Sequence, residues 1–412
     1  MSDRVMNRLF VLFAALLALS GCATLRGEVP DGVLPIIATQ ELDSWELLDV
    51  AIVVFDSEPL TDKQISELGL SEEIRQAEER YIPIHLKYTM QRTGHWGAVR
   101  VVPAESEAHV QVHGTITHSD GERLSLDIEA YDSRGVQWFE KSYSEALSLV
   151  EYQDISPGKK DPFQDLYNTI ANDLVEHRSQ LSADDIREIH QISELRIAQD
   201  MAADAFAGHL SRDEDGLYSL VRLPVEDDPM LKRVRAVQMR DGMLLDTVNG
   251  YYEIYYNDLW QPYGDWRKLY NEELAALKEV KKQALTRQLA GLAAVVGGVL
   301  LSTSNNSTAS SSLPEVMVIG GAAAIYSGFH KRQETKIHKD VIEELSISFT
   351  SEAEPLVVEV VGETVRLTGS AEEQYQKWRE MLREIYASET GLPLDSAGDG
   401  TNQTTEPSSG IR

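Results

Sequence analysis

Residues 109–143 read HVQVHGTITHSDGERLSLDIEAYDSRGVQWFEKSY. Residues 109–118, 124–131 and 136–143 are three β-type runs, and the segments between them, Asp120-Gly121 and Ser133-Arg134-Gly135, carry hairpin turn chemistry. Toward the N-terminus, residues 50–55 (VAIVVF) form a short buried-strand run that ends at the acidic Asp56, and residues 96–102 return to strand character before Pro103. Between those two runs, residues 71–92 carry apolar side chains at helical spacing: Ile74, Ala77, Tyr81, Ile84 or His85, and Tyr88. Pro83 lacks a backbone N–H and is expected to bend or interrupt that helix, and Gly94 closes it. The order β-α-β-β-β-β predicts an α+β fold in which a helix packs on an antiparallel sheet, over residues 46–150.

This order, together with the phrase Ala108-His-Val-Gln-Val-His-Gly114-Thr-Ile, resembles the N-terminal domains of the curli-secretion lipoprotein CsgG, the penicillin-binding-protein activators and TolB, over residues 48–180. The resemblance implies a fold used by proteins that bind partner proteins or assemble into rings at the outer membrane. It carries over no functional residue. His109, His113 and His118 invite a metal reading, but His109 and His113 on one strand face stand about 13 Å apart, too far to ligate one ion. No metal and no cofactor are expected.

The chain has 412 residues, 67 acidic and 38 basic, and a formal net charge of −29. That balance argues against non-specific nucleic-acid binding, which depends on Lys and Arg neutralising phosphates. A single cysteine excludes an intrachain disulfide and a cysteine-based zinc site. The length leaves room for two or three domains. Residues 1–21 combine Arg4 and Arg8 with an apolar run over 9–19 and small residues before Cys22, the pattern of a secretory signal that is too short to span a bilayer. Its end, Leu19-Ser20-Gly21-Cys22, resembles the bacterial lipobox. The resemblance implies cleavage before Cys22 and acylation of that residue, hence a membrane-lipid partner. Several acyl chains hold far more firmly than one. Ala23 follows the cysteine where aspartate would be the inner-membrane retention signal, so the expected place is the periplasmic face of the outer membrane, with the inner membrane as the alternative. Residues 22–45, with Gly27, Pro30, Gly32 and Pro35, read as a tether.

Residues 151–285 read as helical. Phe163, Leu166, Tyr167, Ile170, Leu174 and Val175 form a one-sided stripe, and Ser182 with Asp185 resembles a capping box that opens a second helix bearing Ile186, Ile189 and Ile192. Leu245, Val248, Tyr252, Tyr255, Leu259, Tyr263, Trp266, Tyr270, Leu274 and Leu277 follow in steps of three and four, the period of one long helix with a packed aromatic seam. Asn249-Gly250 offers a competing hairpin, Pro262 with Gly264 implies a kink, and a sugar-stacking platform is the functional alternative to the packed seam.

Residues 286–335 carry two apolar arms, 289–301 and 316–329, joined by an uncharged Ser/Thr/Asn linker. Ala290, Ala294 and Gly298 in the first arm, and Gly320, Ala324 and Gly328 in the second, repeat every fourth residue and make a flat groove for close helix packing. The pattern resembles the glycine-zipper segments of envelope lipoproteins. Lys278, Lys281, Lys282 and Arg287 precede the first arm, and Lys331, Arg332, Lys336 and Lys339 follow the second. In a helical hairpin they form one basic collar suited to anionic lipid headgroups. The arms read as a membrane insertion, a contact between copies in a homo-oligomer, or a buried core hairpin. Residues 336–390 read as a small α+β module that resembles the lipid-associated BON module: strands over 345–349, 356–361 and 364–367, then a helix opened by Ser370 and Glu373 and bearing Tyr375, Trp378, Leu382 and Ile385. The tail, 391–412, has a disordered composition.

Phosphate-cradling loops, dinucleotide glycine fingerprints, zinc-protease helices, serine elbows and calcium loops are absent from the sequence. The expectation is a non-enzymatic outer-membrane lipoprotein that acts as a structural or assembly component of the envelope through protein partners. The alternatives are an oligomeric pore or secretion collar built on the apolar arms, and an accessory factor that binds peptidoglycan synthases or the cell wall.

Overall fold

A computed structural model describes residues 27–28, 32–59, 61, 72–103, 106–148, 160–301, 340–344, 347, 356–360 and 363–390; the side chains of 27–28, 72–73, 277, 280–301, 356–357, 359–360, 363–364 and 389–390 lie outside it. The fold is α+β, with a mixed sheet at its centre. Its strands are β1 (Gly27–Glu28), β2 (Val50–Val53), β3 (Asp56–Ser57), β4 (Val99–Val102), β5 (Val110–Ser119), β6 (Arg123–Asp132) and β7 (Gln137–Ala146), in the order β1-β7-β6-β5-β2-β4 with β3 beside β5. The hairpins read from residues 109–143 are present: β5, β6 and β7 form an antiparallel meander, and every second residue of β5 is buried over most of its length.

The antiparallel reading holds for the meander and not for the other half of the sheet. β2 runs parallel to both β4 and β5. The cause is α1 (Glu72–Gln91), whose 20 residues, about 30 Å of helix, carry the chain back before the next strand begins. Pro83 neither bends nor interrupts α1 enough to end it. The carbonyl that Pro83 leaves without a helical donor is that of Glu79, and Phe55 N–H donates to it at 3.0 Å, so the proline's missing bond is replaced by one that ties the helix to the chain leaving β2.

Two helices follow the meander, α2 (Gln164–Ser179) and α3 (Ala183–Met201). The capping box at the start of α3 forms as read: Ser182 Oγ accepts from Asp185 N at 3.1 Å, and Asp185 Oδ2 accepts from Ser182 N at 2.9 Å. A short hairpin unforeseen in the sequence, β8 (Leu210–Arg212) with β9 (Tyr218–Leu220), then leads to α4 (Pro229–Leu301), a single helix of 73 residues. Asn249-Gly250 makes no hairpin, because α4 runs straight through it and also through Pro262. Leu245, Val248, Tyr252, Tyr255, Leu259, Tyr263, Trp266 and Tyr270 are all buried, as a packed seam requires.

The tether reading is corrected where the chain is described. Residues 32–38 are strapped along α2: Gly32 N donates to Asp165 Oδ2, Ile36 N donates to Asn172 Oδ1, and the amides of Asn168 and Asn172 donate to the carbonyls of Val33 and Leu34, each at 2.7–2.9 Å. Residues 345–349, read as a strand, lie outside the described residues except for Ile347, which is helical, as are 340–344. Beyond them β10 (Leu356–Val360) pairs antiparallel with β11 (Glu363–Leu367), and α5 (Ala371–Thr390) packs its Tyr375, Trp378, Leu382 and Ile385 against the rest of the core.

Candidate functional site

The residues singled out by the sequence fall mostly beyond what is described. Cys22, the second arm with Gly320, Ala324 and Gly328, and the cations Lys331, Arg332, Lys336 and Lys339 lie outside the described residues, as does the tail. The first arm with Ala290, Ala294 and Gly298 is the helical end of α4, and Lys281, Lys282 and Arg287 stand on the same helix ahead of it. Lys278 is the one collar cation whose side chain is described. It pairs with Glu122 in the β5–β6 turn while staying more than half exposed. Past Lys278 the helix continues for 23 residues, about 35 Å, to Leu301. Among the described residues no helix is long and apolar enough to cross a membrane.

The three strand histidines are not brought together. His109 Nδ1 accepts from Asp49 N–H at 2.9 Å and its ring lies 4.1 Å from that of His190. His113 faces Tyr131 edge-on, and His118 Nε2 stands 2.9 Å from Asp120. Among the described residues no cluster of three His, Cys, Asp or Glu side chains is arranged around a metal position.

The site that sequence reasoning missed lies between α1, α2 and the aromatic stretch of α4. There a cleft of about 590 Å³ opens, lined by His85, Tyr88, Thr89 and Arg92 of α1 and the turn that follows it, by Lys160, Asp161, Gln164 and Asn168, by Tyr256, Asn257 and Trp260 of α4, and by Pro35 of the strap. Such a volume is within the roughly 300–1,000 Å³ typical of small-molecule sites. Tyr256 and Trp260 came from the aromatic run, but their position opposite His85 depends on how two helices 170 residues apart in sequence meet, and no local pattern records that.

The cleft floor is a chain of satisfied hydrogen bonds. Gln164 donates to Thr89 Oγ1 at 3.1 Å and to Asn168 Oδ1 at 3.0 Å, which leaves its Oε1 to accept from His85 Nε2–H at 3.0 Å. His85 Nδ1 must then be the acceptor for the Tyr256 hydroxyl at 2.6 Å. Burial pushes the His85 pKa down, with Asp161 and the Gln164 bond only partly opposing it, so the ring is neutral, as this pattern needs. A network with every partner in place holds its side chains in one arrangement.

Beneath it lies a buried ion pair. Arg267 Nη2 meets Asp161 Oδ2 at 2.6 Å with both side chains all but fully buried, and the guanidinium stands 4.3 Å from the centre of the Tyr263 ring. Burial alone would raise the Asp161 carboxyl, but Arg267 and the Phe163 N–H bond outweigh it and hold the group below the usual carboxylate range. Nearby, Glu78 takes hydrogen bonds from Ser119 Oγ and Tyr263 OH at 2.5 and 2.6 Å, yet burial still pushes its pKa up. Both carboxylates are committed to partners within the fold, so neither is free to act as a general base toward a ligand in the cleft. Comparison with protein-family models, curated proteins and solved structures finds no match to this chain.

Proposed function

We propose that the chain is an acylated envelope lipoprotein, held through Cys22 at the periplasmic face of the outer membrane, whose folded body serves as a structural or assembly component that docks protein partners. The observation that carries this reading is α4. Its aromatic seam is buried in the body up to Tyr270, and the same uninterrupted helix continues into the small-residue arm that contains Ala290, Ala294 and Gly298. A contact made by the arm, with lipid or with a second copy, is therefore joined rigidly to the fold rather than through a loose linker. The commitment of the buried carboxylates to internal partners supports a binding role over a catalytic one.

Cell fractionation tests the anchor. Wild-type protein should sediment with outer membranes, and Cys22→Ala should move most of it into the soluble periplasmic fraction. If Cys22→Ala stays membrane-bound and is released only when residues 286–335 are also removed, the arms hold the protein and the lipid anchor is not required. Soluble wild-type protein would sink the localisation altogether.

A further inference from the structure

The cleft between α1, α2 and α4 has a chemistry that the anchoring reading does not use, and its argument stands independently of that reading. Its wall is aromatic: Tyr88, Tyr256 and Trp260 line it, with Tyr88 and Tyr256 ring centres 5.3 Å apart and Tyr256 and Trp260 5.6 Å apart. Its floor is saturated, since every hydrogen-bonding group of the His85–Gln164–Asn168 chain that a ligand could use is already engaged within the fold. What remains for a ligand is at the wall and rim. Among the described residues the Arg92 guanidinium, the Asn257 amide, the Tyr88 hydroxyl and the Trp260 indole N–H have no hydrogen-bond partner, and Lys160 is half exposed and holds only Asp165 at 3.2 Å. In a chain with 67 acids and 38 bases, an arginine left without a carboxylate at the mouth of a cleft is conspicuous.

The open groups are therefore two cations, an amide, a phenol and an indole donor beside an aromatic wall. That set fits a ligand with an anionic group, hydroxyls and a broad C–H face, and it fits a bare ion poorly, because an ion would leave the aromatic wall unused. We propose that this cleft binds a carboxylate-bearing sugar, its ring against Trp260 and its carboxylate on Arg92 and Lys160. Asn257 takes a hydroxyl. The neutral, fully bonded floor holds the aromatic wall in place and needs no rearrangement on binding.

Isothermal titration of the purified full-length protein tests this with glucuronic acid and N-acetylmuramic acid as acidic sugars, glucose and N-acetylglucosamine as neutral ones, and acetate and inorganic phosphate as bare anions. At least one acidic sugar should bind saturably and at least about tenfold more tightly than its neutral counterpart. Arg92→Gln alters an exposed side chain and should remove that preference without changing the melting temperature. Trp260→Leu should weaken acidic and neutral sugars alike. No saturable binding of either acid up to about 10 mM overturns the proposal. So does acetate or phosphate binding as tightly as the sugars, which would leave an anion site alone, or an affinity untouched by Arg92→Gln.

Discussion

Glu145 stands near the end of β7 beneath the first turn of α2, where its Oε2 accepts the Leu166 N–H at 2.9 Å. Burial lifts its pKa to about 8, with Asp165 and Asp161 adding to the rise and the Leu166 bond and Lys160 opposing it. In the unfolded chain the same carboxyl titrates near 4.5. Between pH 4.5 and 8 the unfolded state gives up this proton while the folded state keeps it, so the group's contribution to stability falls as pH rises. Glu145→Gln keeps an oxygen for Leu166 N–H and removes the titration. Its stability should equal that of the wild type below pH 4 and exceed it by up to about 4–5 kcal/mol at pH 8.5, in urea unfolding followed across that range. A difference that shrinks as pH rises would contradict the assignment. Residue-scale features of this kind divide cleanly by range. The Ser182–Asp185 capping box was readable because both partners sit three residues apart, whereas Glu145 meets α2 only through the fold, and its sequence neighbours say nothing of burial.

Two pairs read as turn chemistry show how an element can override a local signal. Gly135 has φ +81°, the left-handed backbone its turn was expected to need. Gly121 does not, and the demand for glycine there has another origin: a Cβ would stand 2.3 Å from the Arg267 carbonyl oxygen, so the β5–β6 turn is pressed against the backbone of α4. Asn249 with Gly250 is a hairpin signal in the sequence, yet Asn249 sits inside α4 and works as a substitute strand. Its Oδ1 accepts from Val101 N and its Nδ2 donates to Val101 O, both at 3.0 Å, on the edge of β4 that has no neighbouring strand among the described residues. Asn249→Leu keeps the approximate volume and leaves both backbone groups buried without partners, so it should cost roughly 2–4 kcal/mol in chemical denaturation. A loss below about 1 kcal/mol would mean that water or a shifted helix satisfies the strand edge instead. The period of α4 was legible in its steps of three and four. Its role as a strand-edge cover was not, because the partner is 148 residues away.

Across the whole molecule, the sequence suggests separate units, an N-terminal α+β domain, a helical region and a small C-terminal module. The buried side chains instead join into one core, from Leu48 at its start to Tyr386 on α5. α4 is the reason: it lies against α1 and β4 with one part of its surface and receives α5 on another. Polar stitches reinforce the joint, with Arg80 of α1 meeting Glu372 of α5 at 3.1 Å, and Arg379 and Arg383 both reaching Asp200 of α3. Composition and turn signals can mark where elements end, but they cannot tell whether successive elements share a core, since that depends on which faces of a helix find partners. The consequence is testable with one substitution far from the sheet. Leu382 is buried on α5, and Leu382→Ala should remove about 2–5 kcal/mol. If the core is shared, the most protected amides of β5 and β6 should lose the same free energy in native-state hydrogen exchange, because they open only when the whole unit unfolds. Sheet amides that keep their wild-type protection while α5 exchanges faster would show two units that merely touch. The long helix would then be a strut between them rather than the centre of a single fold.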